Sequence, residues 1–85
     1  MKNMAKIPDL IKYNGYEYSL AERNAGAGIF QQWDPDLKKV VAWEVWILGT
    51  LFRIPKDEDF GKIAWVYRTL PEAQAKLDFF KNLNA

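Results

Sequence analysis

The sequence predicts a small α+β domain in which an antiparallel meander sheet of about four strands carries one C-terminal helix on one face. The observations behind this fold class are an Asn14-Gly15 hairpin signal, strand-like runs separated by turn residues, and a capped amphipathic helix at the end. The chain forms one domain over 1–85, with a loose start over 1–6 and the helix over 70–83.

The first half of the chain contains strand-like runs joined by short turns. Asn14-Gly15 is the strongest two-residue hairpin signal, because a type I′ turn needs positive φ at both central positions. The run 16–23 alternates aromatic or aliphatic residues with polar or small ones, as a strand with one buried face does. The glycine-rich stretch 24–28 predicts a hairpin loop, and the Asp-Pro-Asp stretch 34–36 predicts a turn.

The run 39–48, KVVAWEVWIL, is the most strand-like in the chain and is largely apolar on both faces. Because one helix covers only one face of a sheet, we expect the face bearing Trp46 and Leu48 to form an exposed apolar patch that contacts a protein. The alternative is that the N-terminal segment 7–11 folds across this face. The predicted interface residues are Trp46, Leu48, Glu44 and Trp33.

The last strand and the helix follow one another directly. The run 63–68, IAWVYR, predicts the strand. Thr69 and Glu72 fit a capping box, and Pro71 lies in the first turn, where its missing N–H costs no hydrogen bond. An apolar stripe at helical spacing then predicts a helix packed on the sheet, through Ala73, Leu77 and Phe80.

The composition excludes several chemistries. The chain has no histidine and no cysteine, so it lacks the usual general base, the thiol nucleophile and nitrogen or sulfur metal ligands. The acidic stretches 34–36 and 57–59 are typical of solvated turns. We therefore expect no enzymatic activity, no cofactor, no metal and no small-molecule substrate.

Charge and hydropathy bear on location. Twelve basic and eleven acidic residues give a formal charge of +1, which argues against non-specific DNA binding. No stretch approaches the roughly 18 uncharged apolar residues of a membrane span, and the N-terminus has no signal-peptide core. We expect a cytoplasmic protein without a membrane partner.

The order of elements supports an alternative function. Several antiparallel strands followed by a helix that opens with TLPEA resemble the AP2-type DNA-binding domain. That resemblance implies a sheet that enters the major groove. The cations that would contact DNA are Lys38, Lys39, Arg53, Lys56, Lys62 and Arg68.

A second resemblance covers about half of the chain, 43–80. A WEVW strand followed by P-x-x-E-D-F-G-K-x-A-W-x-Y and a helix start is similar to small uncharacterised bacteriophage-encoded proteins, in which a YEV-type strand precedes P-x-x-E-x-F-G-x-x-W-x-Y. The resemblance implies an origin rather than an activity. Its residues are Trp43, Glu44, Val45, Pro55, Glu58, Phe60, Gly61, Trp65 and Tyr67.

These observations favour a small non-catalytic protein-binding module. If the chain is phage-encoded, it acts in the host cytoplasm on a host protein or by self-association, for example as a homodimer. The sheet-type DNA-binding domain is the alternative.

Overall fold

The computed structural model describes residues 7–24, 26–48 and 53–83. They form one five-stranded antiparallel sheet, in which each strand pairs with its neighbours in sequence, and one α-helix. The elements are β1 (Ile11–Tyr13), β2 (Tyr16–Arg23), β3 (Ala27–Asp34), β4 (Lys39–Ile47), a 3-10 helix (Asp57–Asp59), β5 (Ala64–Tyr67) and α1 (Leu70–Leu83).

This architecture confirms the predicted α+β meander with a C-terminal helix. The sheet has five strands rather than about four, because the first arm of the Asn14-Gly15 hairpin pairs over only three residues yet belongs to the sheet. The helix spans the predicted 70–83. The predicted loose start, 1–6, lies outside the described residues. Within the described residues, no helix is long and apolar enough to span a membrane.

The turns follow the local chemistry of the sequence. Asn14 and Gly15 have φ of 53° and 83°, and Tyr13 pairs with Tyr16, as a two-residue I′ hairpin requires. In the β3–β4 turn, Asp34 accepts hydrogen bonds through Oδ1 from the amides that follow, at 2.9 and 3.1 Å. Such local side-chain bonds stabilise the turn and fix where β4 begins.

The helix packs on one face of the sheet. Ile29 and Val45, which are fully buried, contact a cluster that includes Ala73 and Leu77 of α1. Thr69 accepts the amide N–H of Glu72 through its hydroxyl oxygen at 3.4 Å, and its own hydroxyl donates to the Glu72 carboxylate at 2.9 Å. The predicted N-terminal cap is therefore present.

The opposite face is also covered by the chain itself. A second core cluster contains Trp46 and Phe30, and partly buried residues from outside the sheet pack against it: Ile7, Ile54 and Phe60. Trp46 exposes only 1 % of its surface. The N-terminal segment and the β4–β5 connection thus cover the second face of the sheet. The expectation of an exposed apolar patch around Trp46 is wrong.

Candidate functional site

A pocket opens on the sheet face opposite α1. Its volume is about 210 Å³. It runs from an exposed rim to a buried floor, because it includes both exposed side chains such as Tyr13 and buried ones such as Glu44. The described residues that line it are Tyr13, Asn14, Tyr16, Tyr18, Gln32, Glu44, Trp46, Ile54, Pro55, Asp57 and Phe60.

The central strands supply the floor. Side chains alternate along a strand, so Glu44 and Trp46 of β4 share the face opposite the buried Val45, which packs towards α1. On the neighbouring strands, Tyr18 pairs in register with Gln32, and both project to the same face as Glu44. The floor is therefore formed by three paired strands, β2, β3 and β4.

A hydrogen-bonded network connects the polar groups of the floor. Gln32 Nε2 donates to the Tyr18 hydroxyl oxygen at 2.8 Å, and Trp46 Nε1 donates to Glu44 Oε1 at 2.8 Å. Tyr18 and Glu44 both line the pocket, and the polar contact of Tyr18 lowers the pKa of the Glu44 carboxyl. The Trp46 indole N–H thus holds the carboxyl group of a residue that is only 4 % exposed.

Burial shifts the acidity of both titratable groups on the floor. Burial raises the pKa of Glu44 above its ordinary value, and the hydrogen bonds from Trp46 and Tyr18 partly offset this effect. Burial, together with the charge of Glu44, raises the pKa of Tyr18 to about 12. A buried acid with a shifted pKa in a pocket is a physical sign of a functional site.

The β4–β5 connection forms one wall of the pocket and is held by a small ionic cluster. Asp59 accepts the Lys56 amide N–H at 2.9 Å and an N–H of Arg53 at 3.0 Å. The hydrogen bond from Lys56 and then the Arg53 contact lower the pKa of the Asp59 carboxyl. These contacts fix the 3-10 helix, and with it Asp57 at the rim and Phe60 in the wall.

The predicted interface residues do not form one surface. Trp46 and Glu44 are buried, and Leu48 is half-buried against the same core cluster. Trp33 is half-buried and, by strand alternation, lies on the helix side of the sheet. The prediction that Trp46 and Glu44 belong to an exposed contact surface is wrong, because the chain packs over both of them. Glu44 instead lies at the floor of the pocket.

The predicted DNA-contacting cations are all exposed, but they are distributed over the molecule. Lys38 and Lys39 lie at the β3–β4 turn, whereas Lys62 precedes β5 near Ile47, at the other end of β4. Nine strand residues span about 30 Å. Arg53 and Lys56 lie in the β4–β5 connection, where Arg53 pairs with Asp59, and Arg68 follows β5. DNA binding stays a prediction.

Sequence reasoning missed most of the pocket. Of the lining residues, only Glu44 and Trp46 are predicted from the sequence as binding residues, and they are expected on an exposed surface. One signal was present: Glu44 is a charged residue at an inward position of an apolar strand, between Ala42 and Trp46 on the same face. A carboxylate is rarely buried there unless donors or a cation accompany it.

Comparisons with known proteins assign neither a family nor a function to the chain. No protein-family model matches the chain, and no curated protein or solved structure matches it significantly. The resemblance to phage-encoded proteins therefore stays a prediction, as does self-association. Among the described residues, no group of three acidic side chains is placed to hold a metal ion.

Proposed function

We propose that this chain is a non-catalytic protein-binding module, which takes one side chain of its partner into the pocket opposite α1. The observation that carries the proposal is the pocket itself, whose rim is exposed while its floor of Tyr18, Glu44 and Trp46 is buried. A peptide side chain that enters it would contact aromatic walls and one fixed polar cluster. Such a combination provides both contact area and orientation.

The size of the pocket favours a side chain over a whole small molecule. Its volume of about 210 Å³ is below the roughly 300–1,000 Å³ of pockets that enclose drug-sized ligands. A buried anchor residue in a pocket, surrounded by weaker contacts, is the usual arrangement of a protein-binding hot spot. Tyr13 and Asn14 at the exposed hairpin turn would then contact the partner around the anchor.

The chemistry of the site favours binding over catalysis. The chain contains no histidine or cysteine, so it has neither the most common general base nor a thiol nucleophile. Glu44 accepts a hydrogen bond from the Trp46 indole N–H, which holds it in place as a recognition group.

A peptide selection with matched variants tests this function. A random-peptide display library is selected on the wild-type protein, and the enriched peptides are measured against Tyr13→Ala and Phe79→Ala. Both replaced side chains are exposed, Tyr13 by 38 % and Phe79 by 52 %, so neither change should unfold the domain. Only Tyr13 lines the pocket.

We expect the enriched peptides to bind Tyr13→Ala at least about tenfold more weakly, which is the loss of one moderate hot-spot contact, and to bind Phe79→Ala as they bind the wild type. Failure to enrich any peptide, or enriched peptides that lose affinity for Phe79→Ala instead, would contradict a pocket-based binding module.

A further inference from the structure

We propose that the pocket recognises an alkylammonium group, and specifically a lysine side chain of the partner protein. This inference rests on the proposed function and adds the chemical class of the group that the pocket binds. It is carried by the charges of the lining residues, by the aromatic residues among them, and by the hydrogen bond that Glu44 already accepts.

One acidic residue lines the floor of the pocket and another lines its rim. Glu44 lies at the floor and Asp57 at the exposed rim, and none of the described residues that line the pocket is cationic. The nearby guanidinium of Arg53 is bonded to Asp59, 3.0 Å away. A cation that enters the pocket would therefore meet two carboxyl groups and no described basic lining residue, which favours positively charged ligands over neutral or anionic ones.

Aromatic rings form much of the wall. Five of the eleven described lining residues are aromatic, namely Tyr13, Tyr16, Tyr18, Trp46 and Phe60. The face of an aromatic ring attracts a cation within about 6 Å of its centre, and more strongly in a desolvated site. Rings around an acidic floor can thus hold both the apolar stem of a lysine and its charged end.

On the other face of the sheet, aromatic rings already contact an ammonium group of the chain itself. There Lys76 Nζ lies 4.3 Å from the centre of the Trp65 ring, 5.0 Å from Phe79 and 5.1 Å from Phe80. In the pocket, the described chain provides aromatic rings and a buried carboxyl group but no ammonium of its own. A partner's lysine would provide it.

The geometry at Glu44 favours lysine over arginine. Arginine binds a carboxylate best through two parallel hydrogen bonds, one to each oxygen. Oε1 of Glu44 already accepts the Trp46 N–H at 2.8 Å, so this oxygen is partly occupied. A carboxylate has about four acceptor positions, so the remaining ones suit a compact ammonium better than a planar fork.

Burial of Glu44 also favours the binding of a cation beside its carboxyl group. Burial raises its pKa, which means that the charged form of the carboxyl group is disfavoured at this buried position. An ammonium beside it would stabilise the carboxylate. The site is therefore better adapted to a cation than to a neutral apolar side chain.

Three small probes test the inference on the intact chain. They are the N-acetyl methylamides of lysine, norleucine and arginine, followed by amide and indole chemical shifts in two-dimensional NMR. Norleucine has an apolar stem without the charge, and arginine has the charge with a different shape. We expect the lysine probe to shift the Trp46 indole resonance with a dissociation constant on the order of 1 mM, typical of a ligand of this size. We expect the other two probes to bind at least about tenfold more weakly.

Variants distinguish recognition of the ammonium charge from nonspecific apolar binding. Glu44→Gln should weaken lysine binding at least about tenfold, and Asp57→Asn at the exposed rim should weaken it about threefold, while Phe79→Ala should leave it unchanged. Asp57→Asn keeps the test valid if Glu44→Gln does not fold. Equal binding of norleucine and lysine, or lysine affinity that neither carboxyl variant changes, overturns the inference.

Failure of the inference differs from failure of the proposed function. Display-selected peptides that depend on Tyr13 but need no lysine would overturn the lysine assignment and leave the binding module intact. If no peptide is selected and the lysine probe still binds through Glu44, the pocket recognises ammonium groups and the protein-binding function is wrong.

Discussion

The indole N–H of Trp46 donates to Oε1 of Glu44 across 2.8 Å, between two side chains that lie two residues apart on one face of β4. Both residues are buried, so this bond joins the core to the floor of the pocket. A hydrogen bond to a charged group contributes more than a neutral one, and an unpaired partner left behind is costly. Stability and ligand recognition therefore depend on the same pair.

The first prediction concerns the pH dependence of stability. Because burial raises the pKa of Glu44, the folded state holds the proton more tightly than the unfolded state. The free energy of unfolding should then fall as the pH rises from the ordinary pKa of 4.5 through the raised one, and stay lower above it. Glu44→Gln removes this titration. The free energy of unfolding of the variant, relative to that of the wild type, should therefore rise with pH across that window.

Urea unfolding of both proteins at a series of pH values measures the effect. Each unit by which a pKa is raised corresponds to about 1.4 kcal/mol at high pH. Glu58→Gln is the control, since this exposed carboxyl group lies in the 3-10 helix. A constant difference between the wild type and Glu44→Gln at all pH values would show that the Glu44 pKa is not shifted.

The second prediction treats Trp46 as a core residue. Its ring stacks on Phe30 with centres 3.9 Å apart and contacts the tilted ring of Tyr18 at 5.5 Å. Trp46→Ala should lower the free energy of unfolding by about 3–5 kcal/mol, a large part of the total stability of a small domain. Urea or thermal unfolding measures the loss.

Val66→Ala is the matched control for Trp46→Ala. Val66 is 52 % exposed and pairs in register with Glu44, so it belongs to the same face at its exposed margin. Its truncation should change stability by about 0.5 kcal/mol or less. A Trp46→Ala protein as stable as Val66→Ala would restore the exposed-patch interpretation that the structure overturns.

The third prediction concerns the side chain that joins the β2–β3 loop to the helix. Asn24 donates through Nδ2 to the Leu77 carbonyl oxygen at 3.3 Å and accepts the amides of Gly26 and Ala27 through Oδ1, both at 3.1 Å. Asn24→Ala removes all three bonds and should cost about 2 kcal/mol. Asn82→Ala, at an exposed position of α1, should cost at most about 0.5 kcal/mol in the same urea titration. Equal effects of the two changes would show that Asn24 does not fasten the helix.

Local signals predicted the strands and the helix because their causes are local. Asn14-Gly15 determines its own turn, and Thr69 with Glu72 determines the helix start. The second sheet face depended on non-local contacts. Ile7 and Phe60 are far from Trp46 in sequence, and no periodicity shows that they cover it. The pocket exists only where these segments meet the sheet, so its lining could not be assembled from the sequence, although a charged Glu44 on an apolar face marked its position.

The last prediction concerns Tyr18, which accepts a hydrogen bond from Gln32 and lines the floor of the pocket with Glu44. Burial, and after it the charge of Glu44, raise its pKa to about 12. Spectrophotometric titration of the four tyrosines should show one ionisation near this value, which Tyr18→Phe removes. Since the folded state resists ionisation, the free energy of unfolding should decline as the pH rises from 10 to about 12. In Glu44→Gln the same ionisation should move down but stay above 10, because burial is the larger cause. If the ionisation lost in Tyr18→Phe lies near 10 instead, this would contradict the buried network on which the proposed recognition of lysine depends.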